Sequence, residues 1–109
     1  MASFEVFLTR GAERDLAELH RYVASTDSPE RADLLLDRIL EAAARLASFP
    51  ERGRIPSELK GLGIREYRQL LVGPYRLIYR EIDTRVYISV IADGRRDMQS
   101  LLERRLLGE

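Results

Sequence analysis

The chain has no cysteine and no tryptophan, a single histidine (His20) and a single lysine (Lys60). Without cysteine there is no disulfide framework and no thiolate metal site. One histidine excludes a multi-histidine metal site, and a Ser-His-Asp triad would have to use His20. No serine stands in a Gly-x-Ser-x-Gly context, and no His-Glu-x-x-His run or Asp-rich cation loop occurs. Gly61-Leu62-Gly63 lacks the Lys-Ser/Thr and the helix start that a phosphate loop needs. No apolar run approaches the roughly 18 residues of a membrane span, and no basic-then-apolar signal opens the chain. These absences predict a soluble cytoplasmic protein with no metal, no cofactor and no membrane partner.

What is present fits one folded domain over residues 1–109, since domains peak at roughly 100–150 residues. Hydrophobic residues make up 45% of the chain and charged residues 33%, so a core is available. The net charge of zero hides an asymmetry. Residues 1–51 hold six arginines against ten acids, and residues 52–109 hold eleven arginines and Lys60 against eight acids, so the halves carry −4 and +4. A basic half of this kind meets nucleic acid or an acidic protein segment, or is simply a solvated strand surface.

Residues 3–9 alternate, with Phe4, Val6 and Leu8 on one face, and read as a strand. Ala12, Leu16, Leu19 and Val23 form a helical stripe over 11–25, with Thr9 as N-cap. His20 lies on the flank of that stripe and is given no role. Ser28-Pro29-Glu30 restarts a helix over 29–49, stopped by Pro50. The short link makes the two helices an antiparallel hairpin. Residues 51–62 read as a loop punctuated by Gly53, Pro56 and Gly61.

Residues 63–92 read as a meander of three strands broken at Gly73-Pro74 and Asp83-Thr84. Such short breaks force antiparallel pairing, because a parallel return needs about a dozen residues. Alternation places Tyr75, Leu77 and Tyr79 on one face of the middle strand and Arg76, Ile78 and Arg80 on the other. It places Val86, Ile88 and Val90 together on the last strand. One sheet face covers the hairpin. The opposite face mixes aliphatic residues with arginines, which suits a surface covered by a partner; the other reading is that the last helix folds back over it. That helix, predicted over 98–107, is too short to stand alone and docks on this chain or on another. The fold expected is α+β, in the order β-α-α-β-β-β-α, an antiparallel sheet on an N-terminal helical hairpin.

Four runs in this order carry a resemblance: Pro50-Glu-Arg-Gly-Arg54, Gly63-Ile-Arg-Glu-Tyr-Arg68, Gly73-Pro-Tyr-Arg-Leu-Ile-Tyr-Arg80 and Gly94-Arg-Arg-Asp97. Together they resemble the RelE/ParE superfamily of type II toxin–antitoxin toxins, over nearly the whole chain. The resemblance implies growth inhibition, plasmid stabilisation and a cognate antitoxin as partner in a hetero-oligomer. It implies target or antitoxin binding by Arg65, Arg68, Arg76, Arg80, Arg95, Arg96, Leu101 and Leu102.

RelE-like members cut mRNA on the ribosome, and Arg76 and Arg96 match their two phosphate-handling arginines. Those enzymes also use lysines on the first meander strand and a C-terminal tyrosine. Here residues 65–69 hold no lysine, Leu102 stands near the tyrosine position, and Asp93 replaces the histidine that some members place before Gly-Arg-Arg-Asp. Arginine alone is a poor general base. The resemblance therefore points to a ParE-like poison of DNA gyrase with no catalytic residue assigned. The alternatives are a RelE-like nuclease acting on ribosome-bound mRNA, and an inactive relative that only binds antitoxin. The poisoning surface is expected on residues 95–107. The arginines of Gly-Arg-Arg-Asp also have a structural reading, in which Arg95 or Arg96 bridges Asp97 or Glu66.

Overall fold

Capping and turn residues set where each element starts. In the computed structural model, which describes residues 3–108, a short strand β1 (Glu5–Leu8) ends at Thr9. The Thr9 hydroxyl accepts from the Ala12 N–H at 3.2 Å and opens α1 (Arg10–Thr26). Ser28 does the same for Arg31 at 3.1 Å, with Pro29 in the first turn, and opens α2 (Pro29–Arg45). His20 joins the two helices through Asp33 at 2.8 Å.

α2 stops earlier than the predicted residue 49. Leu46, Ala47 and Ser48 donate to carbonyls three residues back, at 3.1–3.2 Å, and the chain tightens before Pro50. The predicted loop at 51–62 is also partly helical. It holds a 3-10 turn at Pro50–Arg52 and a one-turn helix α3 (Ser57–Lys60), anchored by the fully buried Leu59.

The meander follows as β2 (Tyr67–Val72), β3 (Tyr75–Ile82) and β4 (Arg85–Asp93), antiparallel throughout. Both hairpin loops have two residues, and the first has positive φ in each case: Gly73 at 59° and Asp83 at 57°. That matches the right-handed twist of the flanking strands. The sheet order is β1-β4-β3-β2, and β1 adds to β4 in parallel, Glu5 opposite Arg85 and Leu8 opposite Ile88. The sheet is thus antiparallel over three strands, with one parallel edge. Among the described residues no helix is long and apolar enough to cross a membrane.

Each sheet face has its own core. Leu77, Tyr79, Val86, Ile88 and Ile91 meet Ala12, Ile39, Ala43 and Leu46 of the hairpin layer. On the other face Tyr67, Ile78, Val90 and Ala92 meet Leu59 of α3 and Met98, Leu101 and Leu102 of α4 (Met98–Leu106). This corrects the partner-covered reading of that face: α4 folds back and seals much of it. What stays open there includes Leu71, 66% exposed, at the β2 edge.

The alternation predicted for the last strand also needs correction. Ile78 pairs with Val90 but Tyr79 pairs with Ile88, so Ser89 is an extra residue, a β-bulge. Past the bulge the side chains exchange faces, which sends Val90 to the α4 side and Ile91 to the hairpin side. The Ser89 carbonyl accepts from Arg105 Nη2 at 2.9 Å, and the Ile91 N–H donates to Asp15 Oδ2 at 2.9 Å. Arg105 and Asp15 pair with each other through two bonds of 2.9 and 3.0 Å. One ion pair therefore satisfies the bulge and ties the last turn of α4 to α1. Gly11 makes room for it, since a Cβ there would lie 2.5 Å from Arg105 Nη2.

Candidate functional site

The candidate arginines sit on one strand system but in different states. Arg76 leaves the α4 side of β3, and Glu58 of α3 meets it. Two bonds of 2.8 Å join the guanidinium to both carboxylate oxygens, and Nε donates to Gln69 Oε1 at 2.6 Å. The Arg76 side chain is 12% exposed. The hydrogen bond from Arg76 holds the Glu58 carboxyl below its ordinary range, against the opposing effect of burial. The aliphatic part of Arg76 lies across Gly94, where a Cβ would come within 2.7 Å of Arg76 Cδ. The glycine of Gly-Arg-Arg-Asp is thus a space requirement of the middle-strand arginine.

In the turn itself the two arginines part. Arg95 folds back on Asp93, with Nε at 2.9 Å and Nη2 at 2.6 Å from its carboxylate. The Arg95 side chain, then its backbone N–H, pulls the Asp93 carboxyl down to about 2. Asp97 caps α4, accepting from the Ser100 N–H at 3.1 Å and its hydroxyl at 2.9 Å. The structural reading of the turn is therefore realised through Asp93, not through Asp97 or Glu66. Arg96 is exposed and lines a groove beside α1 with Tyr22 and Tyr75. It has no ion-pair partner among the described residues. Arg76 and Arg96, matched as a pair by the resemblance, are thus committed differently: one is pinned to α3, the other lies open beside α1.

The remaining candidates divide in the same way. Arg68 points to the hairpin side and donates to the Gly53 carbonyl at 2.9 Å. Arg80 lies over the Tyr67 ring, 5.4 Å from its centroid, and its buried Nε has no acceptor among the described residues. Arg65 is exposed ahead of β2. Leu101 and Leu102 are 4% and 0% exposed, so they form core in this structure and offer no surface to a partner.

Sequence reasoning missed Glu58, Asp15 and Arg105, because the pairs they make span 18 and 90 residues. It also missed the anchor under β2. The Tyr79 hydroxyl donates to the Pro50 carbonyl at 2.7 Å and accepts from the Gly53 N–H at 3.0 Å. Desolvation raises the Tyr79 phenol above its ordinary value. The usable signal lay in the Pro-Glu-Arg-Gly run, whose backbone had to find partners somewhere.

A model of the ParE toxin of the type II toxin–antitoxin system parDE matches residues 6–98. Toxin ParE3 of Caulobacter vibrioides is 33% identical over 97 residues, covering 89% of this chain and 93% of the relative. The fold is similar to that of the chromosomal ParDE system from P. aeruginosa, with a TM-score of 0.71 at 22% identity over 84% of this chain and 96% of that one. It is also similar to the toxin–antitoxin complex RelBE2 of Mycobacterium tuberculosis, with a TM-score of 0.61 at 30% identity over 85% and 93%. With a family match across most of its length and a relative of this identity and coverage, the chain belongs to the ParE toxin family of type II toxin–antitoxin systems.

Proposed function

We propose that this toxin is ParE-like in action as well as in family: it arrests growth by poisoning DNA gyrase in the cytoplasm, cuts no RNA, and is neutralised by a cognate antitoxin in a hetero-oligomer. The observation that carries this reading is the state of Arg76. A nuclease of the RelE kind needs that guanidinium on the scissile phosphate, and here Glu58 and Gln69 hold all three of its donor-bearing nitrogens. Electrostatic help to a developing phosphorane requires donors aimed at empty space. A base is also wanting. His20 is engaged with Asp33 between the helices, and Lys60 ends α3. The antitoxin partner is supported by the likeness to RelBE2, which is itself a toxin–antitoxin complex.

Two assays on the purified protein test the reading. Incubated with gyrase, ATP and supercoiled plasmid, it should accumulate linear DNA trapped on the enzyme. In primer extension on a translated message it should leave no new ends. Discrete cuts in the message, with no effect on gyrase, would replace this reading with the nuclease one.

A further inference from the structure

The run from Pro50 to Arg54 has no role so far, yet its backbone is fixed from below. The buried Tyr79 hydroxyl spans the Pro50 carbonyl and the Gly53 N–H at 2.7 and 3.0 Å. Arg68 Nη1 donates to the Gly53 carbonyl at 2.9 Å. Arg54 and Gln69 exchange two backbone bonds, of 3.2 and 2.7 Å. Gly53 permits this seat, since a Cβ there would lie 2.5 Å from both the Gln69 carbonyl oxygen and the Tyr79 hydroxyl oxygen. The side chains of Phe49, Glu51, Arg52 and Arg54 are nevertheless all exposed. A loop braced in this way presents its side chains on a fixed backbone, so binding them costs little further ordering.

Two grooves meet at this loop. The larger, about 600 Å3, is lined by Phe4, Phe49 and Pro50 together with Ser48, Glu51 and Arg52. The smaller, about 190 Å3, is lined by Arg52, Arg54 and Leu71 among others, so Arg52 belongs to both. Phe49 is 64% exposed and Leu71 66%, high values for side chains of this size. Arg52 and Arg54 have no ion-pair partner among the described residues, and Arg68 is met by carbonyls. Among the described residues Glu51 is the one acid lining either groove. The surplus is positive, and it lies beside apolar surface. A phosphodiester backbone would satisfy the guanidinia but leave Phe49 and Leu71 wet. A protein segment that sets carboxylates beside an apolar side chain satisfies both, and aromatic residues and arginine are enriched at such contacts.

We infer that the loop from Phe49 to Arg54, with Leu71 beside it, is a surface on which this toxin docks on gyrase. It receives a segment of the enzyme that carries an apolar side chain for the larger groove and carboxylates for Arg52 and Arg54. The inference rests on the gyrase reading above and adds the surface and the chemistry of the contact. Neither groove shares a residue with the groove of Arg96, so this is a separate contact surface.

Titration of the toxin into a reaction of gyrase, ATP and supercoiled plasmid tests it, with trapped linear DNA as the readout. The proteins compared are the wild type, Phe49→Ala, the double variant Arg52→Ala/Arg54→Ala, and Leu62→Ala, an exposed leucine outside both grooves. Phe49→Ala and the double variant should each raise the toxin concentration for half-maximal trapping at least ~10-fold, as truncation of an interface anchor does. Leu62→Ala should stay within about twofold, a change near the limit of measurement. Circular dichroism should find all four proteins folded, since every substituted side chain is at the surface and the loop is held through its backbone. Trapping by both loop variants at the wild-type concentration overturns the inference and leaves the gyrase reading standing. No trapping by the wild type overturns both. Anisotropy with a fluorescent duplex DNA and no gyrase adds a third outcome: DNA binding by the wild type that is lost in the same two variants would make this a nucleic-acid surface and refute the protein assignment.

Discussion

Removing α4 should unfold this protein, and the size of the effect follows from what the helix buries. Met98, Leu101 and Leu102 are 3%, 4% and 0% exposed against Ile78, Val90 and Ala92. Burial of such side chains contributes about 1.5–3 kcal/mol each. Three of them give roughly 4.5–9 kcal/mol, against a total stability of about 5–15 kcal/mol for a domain of this kind. Deleting residues 98–109 also breaks the Arg105–Asp15 pair and takes the Arg105 donor from the Ser89 carbonyl of the bulge, while Asp15, which accepts from the Ile91 N–H, loses its counter-charge. The same magnitude argues against α4 as a strap that swings out to meet a target.

A milder probe is Leu102→Ala, which should cost about 2–5 kcal/mol. At about 4 °C per kcal/mol for a chain of this length, the melting midpoint should fall by roughly 8–20 °C. Thermal melts followed by circular dichroism, with urea unfolding of the same proteins, measure both effects. A truncated protein that still melts cooperatively within a few degrees of the full chain would refute the reasoning. Its leucines would then not be sealing this core in solution, and the C-terminal segment would again be a candidate contact surface.

Three further outcomes follow. Tyr79→Phe should destabilise by about 1–3 kcal/mol, because the Gly53 N–H and Pro50 carbonyl lose their buried partner; a urea midpoint equal to wild type would mean water replaces the hydroxyl without loss. Glu58→Gln should release one Arg76 donor, lower stability measurably and still give no cuts in primer extension, whereas new message cleavage would make Glu58 an inhibitor of a latent nuclease. Acid should lower the stability of the protein between about pH 4 and pH 2: the folded carboxyls of Glu58, Asp93 and Asp97 lie below their unfolded values, Asp93 at about 2, so the folded state binds fewer protons and the stability these groups contribute above pH 4 is lost as they protonate, a modest loss for the exposed Asp93 and Asp97. A urea midpoint that stays flat from pH 5 to pH 2.5, or one that Asp93→Asn leaves unchanged at neutral pH, would count against this account.

Much of the fold was legible because local chemistry and global packing agree in it. Thr9 and Ser28 cap the helices they were expected to cap, and Gly73-Pro74 and Asp83-Thr84 turn the strands where alternation breaks. The bulge was not legible, since Ile88-Ser89-Val90-Ile91 alternates as well in one register as in the other until a partner strand is chosen. α3 was hidden for a related reason. Four residues carry no period, and the turn is held by one leucine that meets α4, some forty residues on. The parallel edge was equally out of reach: β1 is four residues long, and nothing in it distinguishes one neighbour from another.

The candidate site divides along a different line. A sequence gives the identity and spacing of arginines, but what an arginine can do depends on its counter-charge, and that is a tertiary property. In Gly94-Arg95-Arg96-Asp97 the aspartate caps a helix, the glycine clears space for Arg76, and Arg95 is held by Asp93. Three of the four residues are thus accounted for by folding alone. Asp93, which from the sequence was only a missing histidine, turns out to restrain Arg95 in place of a base. Arg96, unlike Arg95, has no ion-pair partner among the described residues, and of the two tyrosines that line its groove, Tyr75 lay in a quoted run while Tyr22 lay in none. On the reading proposed above, an open guanidinium beside the exposed Tyr22 and the half-buried Tyr75 suits contact with a partner more than proton transfer. Activity of this toxin should therefore track what Arg96 and Tyr22 touch, and should be insensitive to whether Arg76 is a base, an acid or neither.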